Sequence, residues 1–326
     1  MAGTVPLAAG VSVLLALMFS ACSLNRLVIN KVSDALTGGG SNDVFTGDSD
    51  PQLVGDAIPF AIKLYETLLS KNPDHPGLLL TTGSLFIMYA NAFVQGPADA
   101  LPVERYEERD AGRQRAKALY IRGIGILNSA LDKKYPGFTA ATLQEGTMGA
   151  YLTKCTKNDV ELLYWAAAGG LGAYSIDVFD FELGNRLPEL VAMVKRAYEL
   201  DPDYGGGALD EFLVLLYGSL PEILGGSGEL AALHYQRALE KTGGNSAGVH
   251  VSYAQTICVP AQDYDSFKEK LELALAVDVN ANPSTRLVNI ISQRKARFLL
   301  DTAYNYFSFL PMPGDLGYSE EEDEDL

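Results

Sequence analysis

A helix that carries Leu190, Val194 and Ala197 on one face and is stopped by Pro202 constrains this chain more than any other feature. Residues at offsets of four and three share a face, and the alanine closing that stripe is small enough for a partner helix to cross there. Proline lacks a backbone N–H and clashes with the preceding turn, so the helix ends. Ala231, Tyr235 and Ala238 repeat the pattern, with Gly243 in place of the proline. Weaker copies run through Phe60, Leu64 and Thr67 before Asn72-Pro73, and through Gly123, Leu127 and Ala130 before Tyr135-Pro136. Phe267, Leu271 and Ala274 form a further copy before a turn ending at Pro283. These read as second helices of successive helix pairs. Their small residues are unevenly spaced, so no strict period of about 34 residues holds and the loops must vary.

Each stop precedes another apolar helix, over 78–94, 160–178, 208–224 and 247–259. A last helix, over 283–309, is capped by Asn282 and opened by Pro283. β-Branched residues do not gather in alternating runs bounded by turns, so strands are not expected. Helix pairs cannot bury their faces singly. The pattern therefore predicts an all-α fold: stacked antiparallel helix pairs in a tetratricopeptide-like right-handed superhelical array, forming a single helical-repeat domain over 57–310.

The stretch 159–176 lies at the centre of this array and holds the only tryptophan, Trp165. Its small residues, Ala166 to Ala168, Gly169, Gly170, Gly172 and Ala173, fit either close approach of neighbouring helices or room for a ligand beside Tyr164, Trp165 and Tyr174. Glycine costs about 1 kcal/mol relative to alanine inside a helix, so neighbours must hold this segment helical.

The ends carry different signals. Val11 to Phe19 is a short apolar run followed by Ser20-Ala21-Cys22, which reads as a lipoprotein signal peptide over 1–21 with lipidation at Cys22. That places the mature chain in the periplasm, lipid-anchored to a bacterial membrane. Residues 22–56 are rich in Gly, Ser, Asn and Asp and read as a flexible tether; residues 311–326 read as an acidic disordered tail. A formal charge of −16 without a basic stripe repels phosphate backbones, which excludes nucleic acid as a partner.

Chemistry-bearing constellations are thin. His75, His234 and His250 fall in different units without a metal-binding spacing, and His234 reads as a surface or interface residue. Gly205 to Gly207 and the cluster Gly225 to Gly228 lack the Lys-Ser/Thr pair of a phosphate loop and read as turns. The loop opening at Asp201 has Phe212 where a calcium loop needs glutamate. Asp177, Asp180 and Glu182 read as caps, and the charged run Glu104 to Asp110 as a solvated helix start. Cys155 and Cys258 read as buried apolar residues. No spacing joins a nucleophile, a base and an orienting group, so neither an enzyme nor a bound metal or cofactor is expected. What remains is aromatic: Tyr89, Tyr164, Trp165, Tyr174, Tyr217 and Tyr253 all lie on first helices, which line the concave side of such arrays. They are the candidate ligand-cavity residues, and core packing is the other use that fits them.

Taken together, the signal ending at Cys22, the segment Asn158 to Ala168 followed by Ile176, and Arg196 to Pro202 resemble the T-component lipoproteins associated with tripartite ATP-independent periplasmic (TRAP) transporters. The resemblance implies a periplasmic lipoprotein that forms a homotrimer and docks the substrate-binding subunit of the transporter. It also implies a cavity in each protomer for a small apolar or organic-acid ligand, but supplies no ligand-contact positions. The reading from a different class is an envelope protein–protein interaction module with no small-molecule ligand. An interior wide enough for an organic molecule would separate the two.

Overall fold

The computed structural model describes residues 31, 33–37, 43–143 and 146–311. The signal peptide over 1–21, Cys22, part of the expected tether and the tail past 311 lie outside the described residues. Ten helices carry the packing: α1 (Pro51–Lys71), α2 (Pro76–Tyr89), α3 (Tyr106–Lys134), α4 (Val160–Ile176), α5 (Leu187–Leu200), α6 (Ala208–Ser219), α7 (Gly228–Thr242), α8 (Ala247–Tyr253), α9 (Tyr264–Ala276) and α10 (Arg286–Asp301). No strand occurs among the described residues, and the fold is all-α.

Helix starts follow from local chemistry. Asp50 accepts from the backbone N–H groups of Gln52 and Leu53 with Pro51 in the first turn, and His75 Nδ1 accepts from Leu78 N ahead of Pro76. Ser227 and Asp263 cap α7 and α9 in the same way. Because Asp50-Pro51 is itself a start signal, α1 begins six residues ahead of position 57. The Tyr65 hydroxyl donates to Leu36 O at 2.7 Å, and Leu36 and Phe45 pack against the α1 core. Part of the stretch expected as tether therefore belongs to the packed body.

The small residues stand where helices cross. Ala197, Ala238 and Ala274 are fully buried, as are Leu127 of α3 and Phe267 and Leu271 of α9. The weak copy in α1 is different. Its buried face is Val54, Ile58, Ile62 and Tyr65, while Phe60 is 75% exposed and Leu64 and Thr67 also face outward. This helix carries two apolar stripes, and only the one meeting α2 and α10 is covered.

Helix α4 packs among α2, α3 and α5. A Cβ added at Gly169 would sit 2.7 Å from Ile87 Cδ1 and 2.9 Å from Ile124 Cγ1. At Gly170 it would lie 2.6 Å from Leu190 Cδ2, and at Gly172 2.7 Å from Tyr120 Cζ. The glycines thus admit neighbouring side chains, and the space beside them is filled by protein rather than left for a ligand. Gly169→Leu or Gly170→Leu should lower stability by ~1–3 kcal/mol through overpacking, read as a lower urea midpoint at unchanged slope. A midpoint equal to that of the parent would show that the contacts around α4 yield freely.

Three further features bear on the expectations. Gly205, Gly206 and Gly207 take φ values of 62°, 60° and 115°, a left-handed turn that glycine adopts without strain. Cys155 and Cys258 are buried in separate clusters and unbridged. The segment Pro76–Asp99 is long and apolar enough to cross a bilayer, but 61% of its most apolar window is buried in the body, which identifies it as core.

The chain ends by returning to its beginning. Leu287 of α10 is buried with Val54 and Ile58 of α1, and Arg286 Nη1 donates to Gly47 O at 2.8 Å. Contact between the first and last long helices borders a hollow between them.

Candidate functional site

That space is a cavity of about 690 Å³. Its walls are the start of α1 (Pro51, Gln52, Asp56), the end of α2 and the segment after it (Tyr89, Asn91, Phe93, Gln95), the first turns of α3 (Arg109, Arg113), Gln255, and the inner face of α10 (Ile291, Arg294, Lys295, Phe298) with Tyr306. Two of these walls are π-helical. Ala90–Gln95 continues α2, and Ala254–Cys258 continues α8. A π turn widens the backbone and re-aims its side chains, and such turns gather at functional sites. Here they present Asn91, Phe93 and Gln95 from one side and Gln255 from the other. The buried Tyr120 hydroxyl donates to Gln95 Oε1 at 2.8 Å, which fixes that amide. Gly55 lets Phe93 lie against α1, since a Cβ there would meet Phe93 Cδ1 at 2.7 Å.

The charges on this wall are unevenly paired. Four basic side chains, Arg109, Arg113, Arg294 and Lys295, face two acidic ones, Asp56 and Asp99. Asp56 is engaged by Gln52 Nε2, 3.1 Å from each oxygen, and Asp99 lies 3.6 Å from Arg113 Nε. Lys295 is exposed on this wall, and the protein packed around it holds its pKa below the ordinary lysine value against the pull of Asp99 and Glu211. Burial likewise raises the Tyr306 hydroxyl pKa.

The six aromatic residues chosen from the sequence are dispersed. Tyr89 lines this cavity, its ring stacked on Phe93 at 6.0 Å with the Arg115 guanidinium 5.8 Å from its centroid. Tyr164 and Trp165 pack edge-to-face at 5.2 Å, and Tyr164 also meets Tyr204 and Phe212, each at 5.5 Å. Around that cluster, burial raises the pKa of Glu161 and of Glu211, whose carboxylate accepts from Ser246 Oγ at 3.0 Å. Tyr174 lies beside Gly184, Tyr217 stacks on His234 at 5.6 Å, and Tyr253 packs on Tyr235 at 4.5 Å. The residues share the first helices but not one wall of this cavity.

Two polar readings change and one holds. His234 is buried, with Nδ1 2.7 Å from Asp210, a carboxylate that Lys241 Nζ also approaches at 2.7 Å. Burial drives the Asp210 pKa up, but these two partners outweigh it and hold it below the usual range. Arg109, in the run expected to be solvated, turns inward to the cavity instead. Asp180 does act as a cap, accepting from the N–H groups of Glu182 and Leu183, while Asp177 accepts from Phe179 N at 3.3 Å in the loop before it, and Lys117 Nζ bridges both carboxylates at 2.9 and 2.7 Å.

Sequence reasoning missed Arg109, Arg294 and Lys295. The adjacent basic pair on an otherwise amphipathic last helix, followed by Phe298, was the available signal. It acquires meaning only when that helix is known to face the first one.

Comparison with known proteins adds two findings. A family model described as TRAP transporter T-component matches residues 47–307. The chain is also 34% identical over 305 residues to an uncharacterized protein of Treponema pallidum (strain Nichols), covering 89% of this chain and 94% of that protein.

Proposed function

Because the chain belongs to the TRAP transporter T-component family, an accessory part of that transport system, we propose that it is a non-enzymatic scaffold and ligand-handling protein. In this reading it is anchored to a bacterial membrane through lipidated Cys22, stands in the periplasm as a homotrimer and docks the substrate-binding subunit of the transporter. The cavity between α1 and α10 holds the ligand in transit. The observation that carries the reading is the pairing of family membership with that cavity of about 690 Å³, which lies within the size range of small-molecule sites. An interaction module without a ligand would need no such interior, and its walls would be filled by side chains. Polar amides and phenols together with Phe93, Ile291 and Phe298 give the mixed lining typical of a site for an organic molecule.

Sedimentation tests the docking part directly. The purified protein alone should sediment as a trimer, and adding the substrate-binding subunit of its transporter should produce a faster species containing both. A monomer that forms no complex would contradict the proposal.

A further inference from the structure

Successive helices alternate in direction, so the loops after α2, α4 and α6 come to one edge of the body. Gln95 Nε2 reaches Ser175 Oγ at 3.5 Å, and Lys117 of α3 bridges Asp177 and Asp180, which joins the first two loops. Tyr164 in the first turns of α4 meets Phe212 in the first turns of α6 at 5.5 Å, so these helices start together and end at the same edge. Exposed hydrophobic side chains collect there. Val103 and Tyr106 stand out from the first loop, Phe179 and Phe181 are 94% and 78% exposed in the second, and Ile223 is 92% exposed in the third, next to Leu224. The loops of the opposite edge, over 72–75, 135–159, 201–207, 243–246 and 277–285, expose Leu143 alone among their described large hydrophobic residues. A phenylalanine held almost wholly in water adds nothing to the fold, and several apolar tips on neighbouring loops mark a contact surface.

We infer that this edge is the docking face for a soluble protein whose own contact face is apolar and ringed by lysine or arginine. Two observations select that occupant over a bilayer and over a second copy. The first is where the chain enters the body. Ser33 is buried, Asp34 pairs with His75 at 3.0 Å ahead of α2, and Leu36 O accepts from Tyr65 in the second half of α1, all at the opposite edge. The chain from Cys22 to Ser33 reaches at most about 40 Å fully extended, and the 24-residue helical run Pro76–Asp99 sets the two edges roughly 35 Å apart. A lipid on Cys22 therefore draws the bilayer to the entry edge and turns the apolar edge toward solvent. The second observation is charge. At the entry edge lysines neutralise the acids, Lys133 with Asp74, Lys134 with Asp159 and Lys157 with Asp201. At the apolar edge Glu104, Glu182 and Glu222 are exposed and form no ion pair among the described residues. Such carboxylates repel anionic lipid and a second copy of the same edge, and they attract a basic rim. Apolar tips inside a ring of charge also match the anatomy of a protein interface. This inference rests on the docking part of the reading above, in which the partner is the substrate-binding subunit, and it names the surface that docks.

Titrating the substrate-binding subunit of the transporter into the purified full chain tests it, with three variants beside the parent. One carries Phe179→Gln with Ile223→Gln, one carries Glu182→Lys with Glu222→Lys, and Leu143→Gln at the opposite edge is the control. All five side chains are exposed, so each variant should melt at the parent temperature, which separates lost docking from lost structure. The apolar pair should weaken docking by roughly tenfold or more. The charge-reversed pair should weaken it too and flatten its dependence on salt, and the control should dock like the parent. Edge variants that dock like the parent, or a control that loses as much, would overturn this inference and leave the docking proposal standing. Edge variants that lose self-association in place of docking would assign the edge to a second copy. Variants that lose only binding to phosphatidylethanolamine–phosphatidylglycerol vesicles would assign it to the bilayer, and either result overturns the inference. A parent that does not dock removes the docking proposal and this surface with it.

Discussion

Asp159→Ala is expected to cost about 3 kcal/mol, near the low end for breaking a buried charged pair. The Asp159 side chain is 1% exposed and opens the central helix α4. Its carboxylate accepts from Thr156 N at 2.8 Å, Thr156 Oγ1 at 2.9 Å and the Tyr135 hydroxyl at 2.8 Å, and pairs with Lys134. Burial alone would push its pKa up, but these donors together hold it below the ordinary carboxylate range. Alanine would orphan the Thr156 N–H, leave the Tyr135 hydroxyl only its longer bond to Lys154 O at 3.3 Å, and loosen the joint between α3 and α4. Lys134 is half exposed and can rehydrate, which keeps the loss below the upper limit. Asp159→Asn, which retains an acceptor, should cost less. Urea denaturation of the three proteins reads the order directly; equal midpoints for alanine and parent would show that this joint does not hold the centre of the array.

The second large effect is a pH dependence centred on His250. This residue is 5% exposed, and its Nδ1 lies 2.8 Å from the Tyr235 hydroxyl. Burial pushes the Tyr235 pKa up to about 12, so the phenol stays protonated and donates to a neutral imidazole. Burial first, and Lys270 second, lower the His250 pKa to about 4, with Glu269 opposing them. In the unfolded chain the imidazole takes its proton near 6.5. Between the two values the unfolded state binds more protons, so the stabilising contribution is complete above about 6.5 and disappears as pH falls toward 4. A shift of this size corresponds to roughly 3 kcal/mol. Carboxylates contribute their own acid sensitivity, so the informative quantity is the difference from His250→Asn, which can still accept from Tyr235. The parent should lose more stability than the variant between pH 7 and pH 4.5. Parallel losses would mean that His250 charges as easily in the fold as outside it.

How much of this was visible in the sequence varies by element. The second helices α3, α5, α7 and α9 were legible because each carries a stripe at offsets of four and three that closes on an alanine, and the fold buries that stripe. Helix α1 was legible as a helix but not in its orientation. It carries two apolar stripes, and the placement of α2 together with α10, more than two hundred residues away, decides which is covered. The glycines of α4 had two readings from composition alone; the distances to Ile87, Leu190 and Tyr120 settle them as packing positions. Aromatic content was a weak guide to the cavity, since rings at Tyr217 and Tyr253 are satisfied by neighbouring rings. The cations that face the cavity come from helices brought together only by closure of the array, and no local spacing records that contact. The π-helical segments after α2 and α8 also lacked a sequence signature, because backbone widening depends on what packs against the helix.

Native mass spectrometry of the purified protein mixed with the substrate-binding subunit of its transporter reads docking and ligand occupancy in one spectrum. The expected spectrum shows a complex of the two proteins, with this protein carrying a small organic molecule that is lost on collisional activation. Two separate proteins with no small-molecule adduct on this chain would contradict it.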